Sequence, residues 1–519
     1  MCVEFTGIGV GMQEFTTIVV GAGSAGAVIA ARMTESTDHN VLLIDAGPDY
    51  SPSSLPADLA NGKRNSLIHH DWNYRHRPND HQHTFRLPRG RVVGGSSAVN
   101  TCIALRGCPE DYDEWDSMGL SDWSWEQCLP AFKRLESDMD YRNEWHGNDG
   151  PMPLRRHPAE ELTPWQGAFL EACEELGYEK CHDHNDPTTT GAGPHAMNKI
   201  NGRRISVAEA YLTPSVRARP NLTVMAETTA RRVVFYNREV VGLEIERHGE
   251  ISTIHCPNVI VSCGAIASPG LLLRSGIGPR LDLEHIAVPI VAVNDGVGSR
   301  LWDHPGAAFF LLPKKRGLVK NDDPIIQTVC RYDSGETGFP NDLQIQPGSV
   351  ITAPRFNLPL VMMMCCVEKP FRHGRIRYTS ADPHARPDIH SRLLDDPADR
   401  RMAVDALYRG YELTQSKAMR SLAEPVVPTR FVLKSKSKMD EMIRKVCDSG
   451  YHPSGTVPMG PDNDPNAALD GRGRVRGVKG LAVADASIFP TVPSVNINIP
   501  TIMVGERFGE WARNRELFA

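Results

Sequence analysis

Thr17-Ile18-Val19-Val20-Gly21-Ala22-Gly23-Ser24-Ala25-Gly26, followed by Val41-Leu42-Leu43-Ile44-Asp45-Ala46-Gly47, decides the fold class of this chain. An apolar, β-branched run feeds a GxGxxG turn. Small residues (Ala27, Ala30, Ala31) continue at helical spacing, and a second apolar run ends in a carboxylate. That order is the βαβ fingerprint of dinucleotide binding. Gly21 permits the tight turn, Gly23 lets the backbone approach a pyrophosphate, and Gly26 lets helix and strand pack closely. Free N–H groups at the helix start favour the phosphates. Asp45, about 20 residues beyond the glycines, stands where the pattern expects an acid to accept from a ribose diol. A bare GxGxxG also occurs in ordinary turns; the flanking strands and Asp45 make this one a binding motif.

At 519 residues the chain is too long for one simple core and predicts two intimately joined domains. Hydrophobic content of 40% and charged content of 23% are ordinary for a soluble globular protein. A net charge of −6 gives no electrostatic reason to propose nucleic acid or an anionic membrane as partner. No run approaches the roughly 18 apolar residues of a spanning helix. The first residues lack the pattern of a secretory signal, Met12 is an alternative start, and a cytoplasmic location is expected. The 12 cysteines form no CxxC pair and read as buried free thiols in a reducing compartment.

Residues 48–86 form a polar excursion with five histidines (His69, His70, His76, His81, His83), read as a His-rich surface loop because their spacing fits no ligand face. Gly94-Gly95 marks a sharp turn or a close backbone approach. Helices are expected over 123–136, 159–177, 397–415 and 438–448 and from Thr501. A β-meander is expected over 233–255 and a buried strand over 259–262, the latter leading into a helix with Pro269 near its first position. From about 300 to 445 the strands 307–312, 360–367 and 375–379 point to a second, antiparallel-sheet domain. Near the end, 480–485 is another strand ending in a carboxylate, Asp485.

Four motifs bring these pieces together: VVGAGSAG…LLIDAG; RGRVVGGSSAVNTCIALRG (89–107); GAIASPGLLLRSGIG (264–278) with GVGSRLWDHP (296–305); and YHPSGTVPMG (451–460) with VADASIFPTVPSVNINIPTIMVGER (483–507). In this order they resemble the glucose–methanol–choline (GMC) flavin oxidoreductases over about residues 15–515. The resemblance implies an α/β plus α+β architecture. A Rossmann-like FAD-binding domain is joined to an antiparallel-sheet substrate domain, as in the p-hydroxybenzoate hydroxylase type. The expected division is 14–155, 201–305 and 446–519 for FAD, 306–445 for substrate, and 156–200 as an excursion on the substrate side. The implied cofactor is FAD, seated by Gly21, Gly23, Ser24, Ala25, Gly26, Asp45 and Ala46. Arg91, Val93, Gly95, Ser96, Asn100 and Ala230 continue the implied seat, and Asp485, Ala486, Asn496, Pro500 and Thr501 complete it. Some relatives bond flavin through a histidine at the position of Val99; valine cannot, so noncovalent FAD is expected. Two departures stand out: Asp45 replaces the family's usual Glu, and the segment after Gly47 lacks the common apolar entry pattern.

The implied reaction oxidises an alcohol CH–OH group to an aldehyde or ketone by hydride transfer to flavin N5, with reoxidation by dioxygen or another acceptor. A base must take the hydroxyl proton and a donor must hold the oxygen. His452, at the position of the family's catalytic histidine, is the expected base. Asn498 is its expected partner, with Asn496 a rival two residues away; helix capping is the ordinary role for such an Asn. Asp303 and His304 read as structural, and Arg106 and Glu506 as buried ion-pair members. No metal is expected. A hydroxynitrile lyase-type flavoprotein and a non-catalytic flavin-binding module are the alternatives. No acidic residue can be placed to hold a quaternary ammonium. The alcohol stays open among choline, aromatic, furanic, pyridoxine-like, aliphatic and sugar alcohols, as do the electron acceptor and the oligomeric state.

Overall fold

The computed structural model describes residues 14–352 and 359–518, so Cys2 and Met12 lie outside the described residues. Thr17–Val20 and Val41–Ile44 are strands buried at every residue, as expected of continuous apolar runs covered on both faces. They belong to a five-stranded parallel sheet ordered Leu222–Met225, Val41–Ile44, Thr17–Val20, Val259–Val261, Leu481–Val483. The first strand lies inside this order, with Val41–Ile44 and then Leu222–Met225 on one side and Val259–Val261 and then Leu481–Val483 on the other. The strand order therefore reverses there, and the crevice beyond the strands' carboxyl ends is where such sheets bind ligands.

The glycines behave as the motif requires. Gly21 has φ +101°, and a Cβ on it would lie 2.3 Å from the Ser262 carbonyl oxygen; a Cβ on Gly26 would lie 1.9 Å from the Gly21 oxygen. Helix Gly26–Met33 packs along helix Asn498–Arg513, and Gly505 lets the two approach so closely that a Cβ there would meet Ala25 O at 2.9 Å. The expected meander is present as Thr228–Tyr236, Glu239–Arg247 and Glu250–His255.

The second sheet is ordered Ala423–Val427, Pro305–Pro313, Pro359–Val367, Leu343–Thr352, Thr328–Tyr332, Gly191–Pro194, and Asp448–Ser449 pairs with the start of Pro305–Pro313. Neighbouring strands run antiparallel. One face is apolar: Phe309, Leu343, Ile345, Met363, Cys365 and Val367 share a core with Met402 and Leu407 of helix Pro397–Gln415. Period-two alternation turns Gln344, Gln346 and Cys366 to the opposite face, where they are also buried.

Several local expectations need correction. Pro269 sits in the interior of helix Gly264–Arg274 rather than near its start. The Ala265 carbonyl that a helical N–H at 269 would have bonded accepts instead from Thr456 Oγ1 at 2.6 Å, which offsets the missing donor. The last helix starts at Asn498, ahead of Thr501. The expected 159–177 helix is a short 3-10 turn, Ala159–Glu161, and then Pro164–Glu175, whose first turn is capped by Thr163. The His-rich segment is not all surface. His76 is buried, with Nδ1 2.8 Å from Ser391 Oγ and Nε2 3.0 Å from Asp448 Oδ1, and buried His70 contacts the Tyr50 hydroxyl at 3.0 Å. His69, His81 and His83 are exposed.

Candidate active site

One elongated cavity starts at the carboxyl ends of the parallel strands and ends at His452. At its first end Gly21, Gly23, Ser24 and Ala25 form one wall, and Asp45 and Ala46 the next. Asp45 Oδ2 accepts from Ala22 N at 2.8 Å and Oδ1 from Gly47 N at 2.7 Å, which aims the carboxylate along the crevice with lone pairs to spare. Burial raises its pKa to about 6, against the lowering effect of those two N–H groups. The 228–230 backbone, Ala230 included, lines the same end.

The middle is made by Gly95, Ser96 and Asn100. Gly95 has φ +53° and comes so close to the first glycine loop that a Cβ would lie 2.8 Å from Gly23 Cα. Opposite stand Asp485, Ala486 and Thr501. Asp485 Oδ2 accepts from Gly264 N at 2.8 Å and Ser268 Oγ at 2.6 Å, and Oδ1 from Ser487 N at 2.7 Å. It ties two helix starts to the cavity wall.

Four of the expected cofactor residues do not line this space. Gly26 serves packing. Arg91 is exposed and stacks over Trp72, 5.1 Å from its ring centroid. Val93 is buried and borders a separate cavity with Ala98 and Ile205, its N–H donating to Pro48 O at 3.0 Å. Pro500 is buried in the last helix. The Val93 N–H is therefore spent inside the protein.

At the far end the YHPSG segment is held by the LWDHP segment. Trp302 and Ser454 exchange backbone hydrogen bonds of 3.0 and 2.9 Å, and Gly450 N donates to His304 O at 2.7 Å. Asp303 Oδ1 accepts from the backbone N–H of His452 at 2.9 Å. Tyr451 takes φ +67°, a strained conformation for a side-chain residue, and its N–H donates to Ser449 Oγ at 2.8 Å. These contacts fix the His452 ring at the cavity wall.

His452 Nε2 accepts from Asn496 Nδ2 at 3.0 Å. The expected partner Asn498 lies elsewhere: its Oδ1 accepts from Ser24 Oγ at 2.9 Å, joining the last helix to the first glycine loop. This corrects the pairing. Asn498 opens the helix and turns back to the glycine loop, whereas Asn496 precedes the helix and faces His452. Asn496 Oδ1 and Asn498 Nδ2 are both buried without a hydrogen-bond partner among the described residues, and both residues line the cavity. Unpaired buried groups of this kind suit a polar ligand.

Behind His452 stands His304, read from the sequence as structural. Its Nδ1 lies 2.9 Å from His452 Nδ1 and 2.8 Å from Glu368 Oε2, and its Nε2 donates to Pro493 O at 3.0 Å. Burial, reinforced by the nearby charges of His304 and Arg89, pushes His452 well below the usual histidine range. Burial also pulls on His304, but Glu368 and Asp303 more than offset it and leave His304 above its ordinary value. Glu368 carries no sequence motif; only its place at the end of an alternating strand could have signalled it.

Arg106 and Glu506 are buried ion-pair members, with Glu136 and with Arg32 and Arg134 respectively. The Glu136–Asp138–His146 group, whose donor atoms gather within 4.8 Å, is filled by Arg106 and Arg156. Burial lowers the His146 pKa, but Asp138, Asp183 and Glu136 outweigh it and raise it to about 10, so the group reads as an ion-pair network.

The residues fit FAD by donor chemistry and by space: a glycine-walled crevice at a reversal of strand order, an acid at one end and orphaned amides at the other. Comparisons with known proteins agree. GMC oxidoreductase family models match residues 15–306 and 370–505. The 5-(hydroxymethyl)furfural oxidase of Methylovorus sp. (strain MP688) is 34% identical, over 96% of this chain and 98% of that one. The oxygen-dependent choline dehydrogenase of Photobacterium profundum is 33% identical, over 94% and 91%. A crystal structure of pyridoxine 4-oxidase from Mesorbium loti superposes with a TM-score of 0.88 at 28% identity, covering 96% of this chain and 99% of that one. A formate oxidase structure at 22% identity and TM-score 0.87 shares the fold. Among the described residues no helix is long and apolar enough to cross a membrane. The chain belongs to the GMC oxidoreductase family and is an FAD-dependent enzyme that oxidises an alcohol.

Proposed function

We propose that His452 is the base that takes the hydroxyl proton of the alcohol, that Asn496 holds the alcohol oxygen, and that FAD is bound noncovalently. The observation that carries this reading is the 3.0 Å contact of Asn496 Nδ2 with His452 Nε2 at the wall of the cavity that begins at the glycine loop. An alcohol oxygen seated between the two replaces that bond. Its proton passes to Nε2 while Nδ2 donates to the oxygen, whose negative charge then builds up against an amide that does not titrate. Bound FAD supplies the acceptor for the hydride that leaves the carbinol carbon.

The proton positions follow from the partners. Pro493 O only accepts, so His304 Nε2 carries a proton. In neutral His304 the lone pair is then on Nδ1, where it accepts from His452 Nδ1–H and leaves the His452 Nε2 lone pair for the substrate, while Glu368 Oε2, 2.8 Å from the same nitrogen, favours the charged form. Charging His304 puts a proton on its Nδ1 and reverses that bond, moving the His452 proton to Nε2. The pair His304–Glu368 therefore sets which nitrogen of His452 is basic.

Val99, buried beside the cavity, has no atom able to bond flavin, so acid precipitation is expected to leave free FAD in the supernatant. The names of the relatives favour dioxygen as the electron acceptor. Anaerobic mixing of yellow enzyme with an alcohol panel tests the reading: one or more alcohols bleach the flavin and admitted air restores it. An enzyme that cleaves hydroxynitriles with its flavin still oxidised would overturn it.

A further inference from the structure

The antiparallel sheet turns a polar face toward His452. One register row crosses five strands: Gly306, Cys366, Gln344, Arg331 and Gly191. Residues opposite one another in such a row point to the same face. Cys365, one residue from Cys366, points at the helices, since a Cβ on Gly410 would meet its Sγ at 2.9 Å. Cys366, Gln344 and Arg331 therefore face the other way. Arg331 confirms it, donating from Nη2 to Ser494 O at 3.3 Å, two residues before Asn496. Glu368 is two residues beyond Cys366 and reaches His304 at 2.8 Å, which in turn touches His452. Gln344 thus lies on this face between the strand that reaches the segment carrying Asn496 and the strand that leads to the carboxylate behind His452.

Gln344 is fully buried, and among the described residues neither its Nε2 nor its Oε1 has a hydrogen-bond partner. Burying a polar group unpaired works against folding, and a carboxamide leaves both a donor and an acceptor unmet. A hydroxyl answers both at once, donating to Oε1 and accepting from Nε2. A hydrocarbon tail answers neither. A quaternary ammonium has no N–H and no lone pair to offer.

We propose that Gln344 determines specificity by binding a second hydroxyl of the substrate, so that this enzyme oxidises diols or polyols in preference to mono-alcohols and choline. The proposal rests on alcohol oxidation at His452.

The test uses the FAD-loaded full chain and anaerobic flavin reduction with matched pairs that differ by one distal hydroxyl: 2,5-furandimethanol against 5-methylfurfuryl alcohol, and 1,6-hexanediol against 1-hexanol, with choline alongside. A distal hydroxyl is expected to raise kcat/KM about tenfold or more in at least one pair. Gln344→Leu is expected to erase that ratio while leaving the methyl analogue within about threefold of wild type. Because the variant removes an unpaired buried amide, its thermal midpoint should equal or exceed that of the wild type. Methyl analogues or choline reduced as well as the diols would overturn the proposal and leave alcohol oxidation standing. So would a Gln344→Leu enzyme that slows on every alcohol alike or melts lower, since the amide would then be structural. Failure of every alcohol to reduce a fully loaded wild-type flavin would instead bring down the oxidation reading, and this one with it.

Discussion

In the parallel sheet, Thr17–Val20 and Val41–Ile44 are buried on both faces and place no charged side chain there; the chemistry lies in the turns that follow them. In the antiparallel sheet, residues 343–349 and 361–367 also pack on both faces, but only one face is apolar, and the other carries Gln344, Gln346 and Cys366. The first sheet offers backbone to a ligand: N–H groups at a helix start, glycines without Cβ atoms, and a carboxylate oriented by two amides. The second can act only through side chains. Backbone recognition constrains sequence tightly at a few glycines, whereas side-chain recognition can vary with each substrate. The family models follow this division, matching 15–306 and 370–505 and leaving the central strands between them.

The comparison breaks first at His452, where the two halves meet. His452→Ala is expected to slow flavin reduction about 10²–10⁴-fold, measured by stopped-flow absorbance, while yellow cofactor stays bound. Loss of flavin along with activity would mean that His452 serves the cofactor seat instead. The two asparagines sharpen the division further. Asn496→Ala removes the group that contacts His452 and should slow reduction about 10–100-fold with flavin content unchanged. Asn498→Ala removes the tie to Ser24 of the glycine loop. It should weaken FAD retention on dialysis, while the fraction that keeps FAD reduces within about threefold of wild type. Exchanged phenotypes would restore Asn498 as the catalytic partner.

That pair also shows how far the sequence reaches. The parallel sheet, the meander, the helix Pro397–Gln415 and the place of Asp45 were legible because each rests on local periodicity or on a glycine that only one backbone path explains. Asn496 and Asn498 lie in one short motif, and which of them faces His452 depends on where the last helix starts. That start lies three residues ahead of the expected Thr501. Pro269 misled for a tertiary reason: Thr456, far along the chain, supplies the bond that a proline inside a helix cannot. Arg91 and Val93 belong to a motif strongly tied to the cofactor, yet both are committed within the protein, Arg91 to Trp72 and the Val93 N–H to Pro48. Glu368 and Gln344 were invisible because a polar residue in an alternating strand reads as solvent-facing until a second layer is known to cover it.

The smallest expected effect falls on Glu368 and asks whether the antiparallel sheet tunes the base as well as framing the substrate. Catalysis as proposed needs neutral His304, because only then does His452 present its Nε2 lone pair. Activity is therefore lost as pH falls through the His304 pKa, which Glu368 and Asp303 hold above the ordinary histidine value in spite of burial. Glu368→Gln keeps the shape and removes the charge, so the acid limb of the rate of flavin reduction should move to lower pH. The rate on the plateau should change little. His452 itself is pushed well below the histidine range, so a limb set by its own protonation would already lie far to the acid side. Removing a carboxylate two residues deeper would barely shift such a limb. A wild-type limb below the ordinary histidine range, unmoved in Glu368→Gln, would assign the titration to His452 and reduce Glu368 to a buried partner of His304.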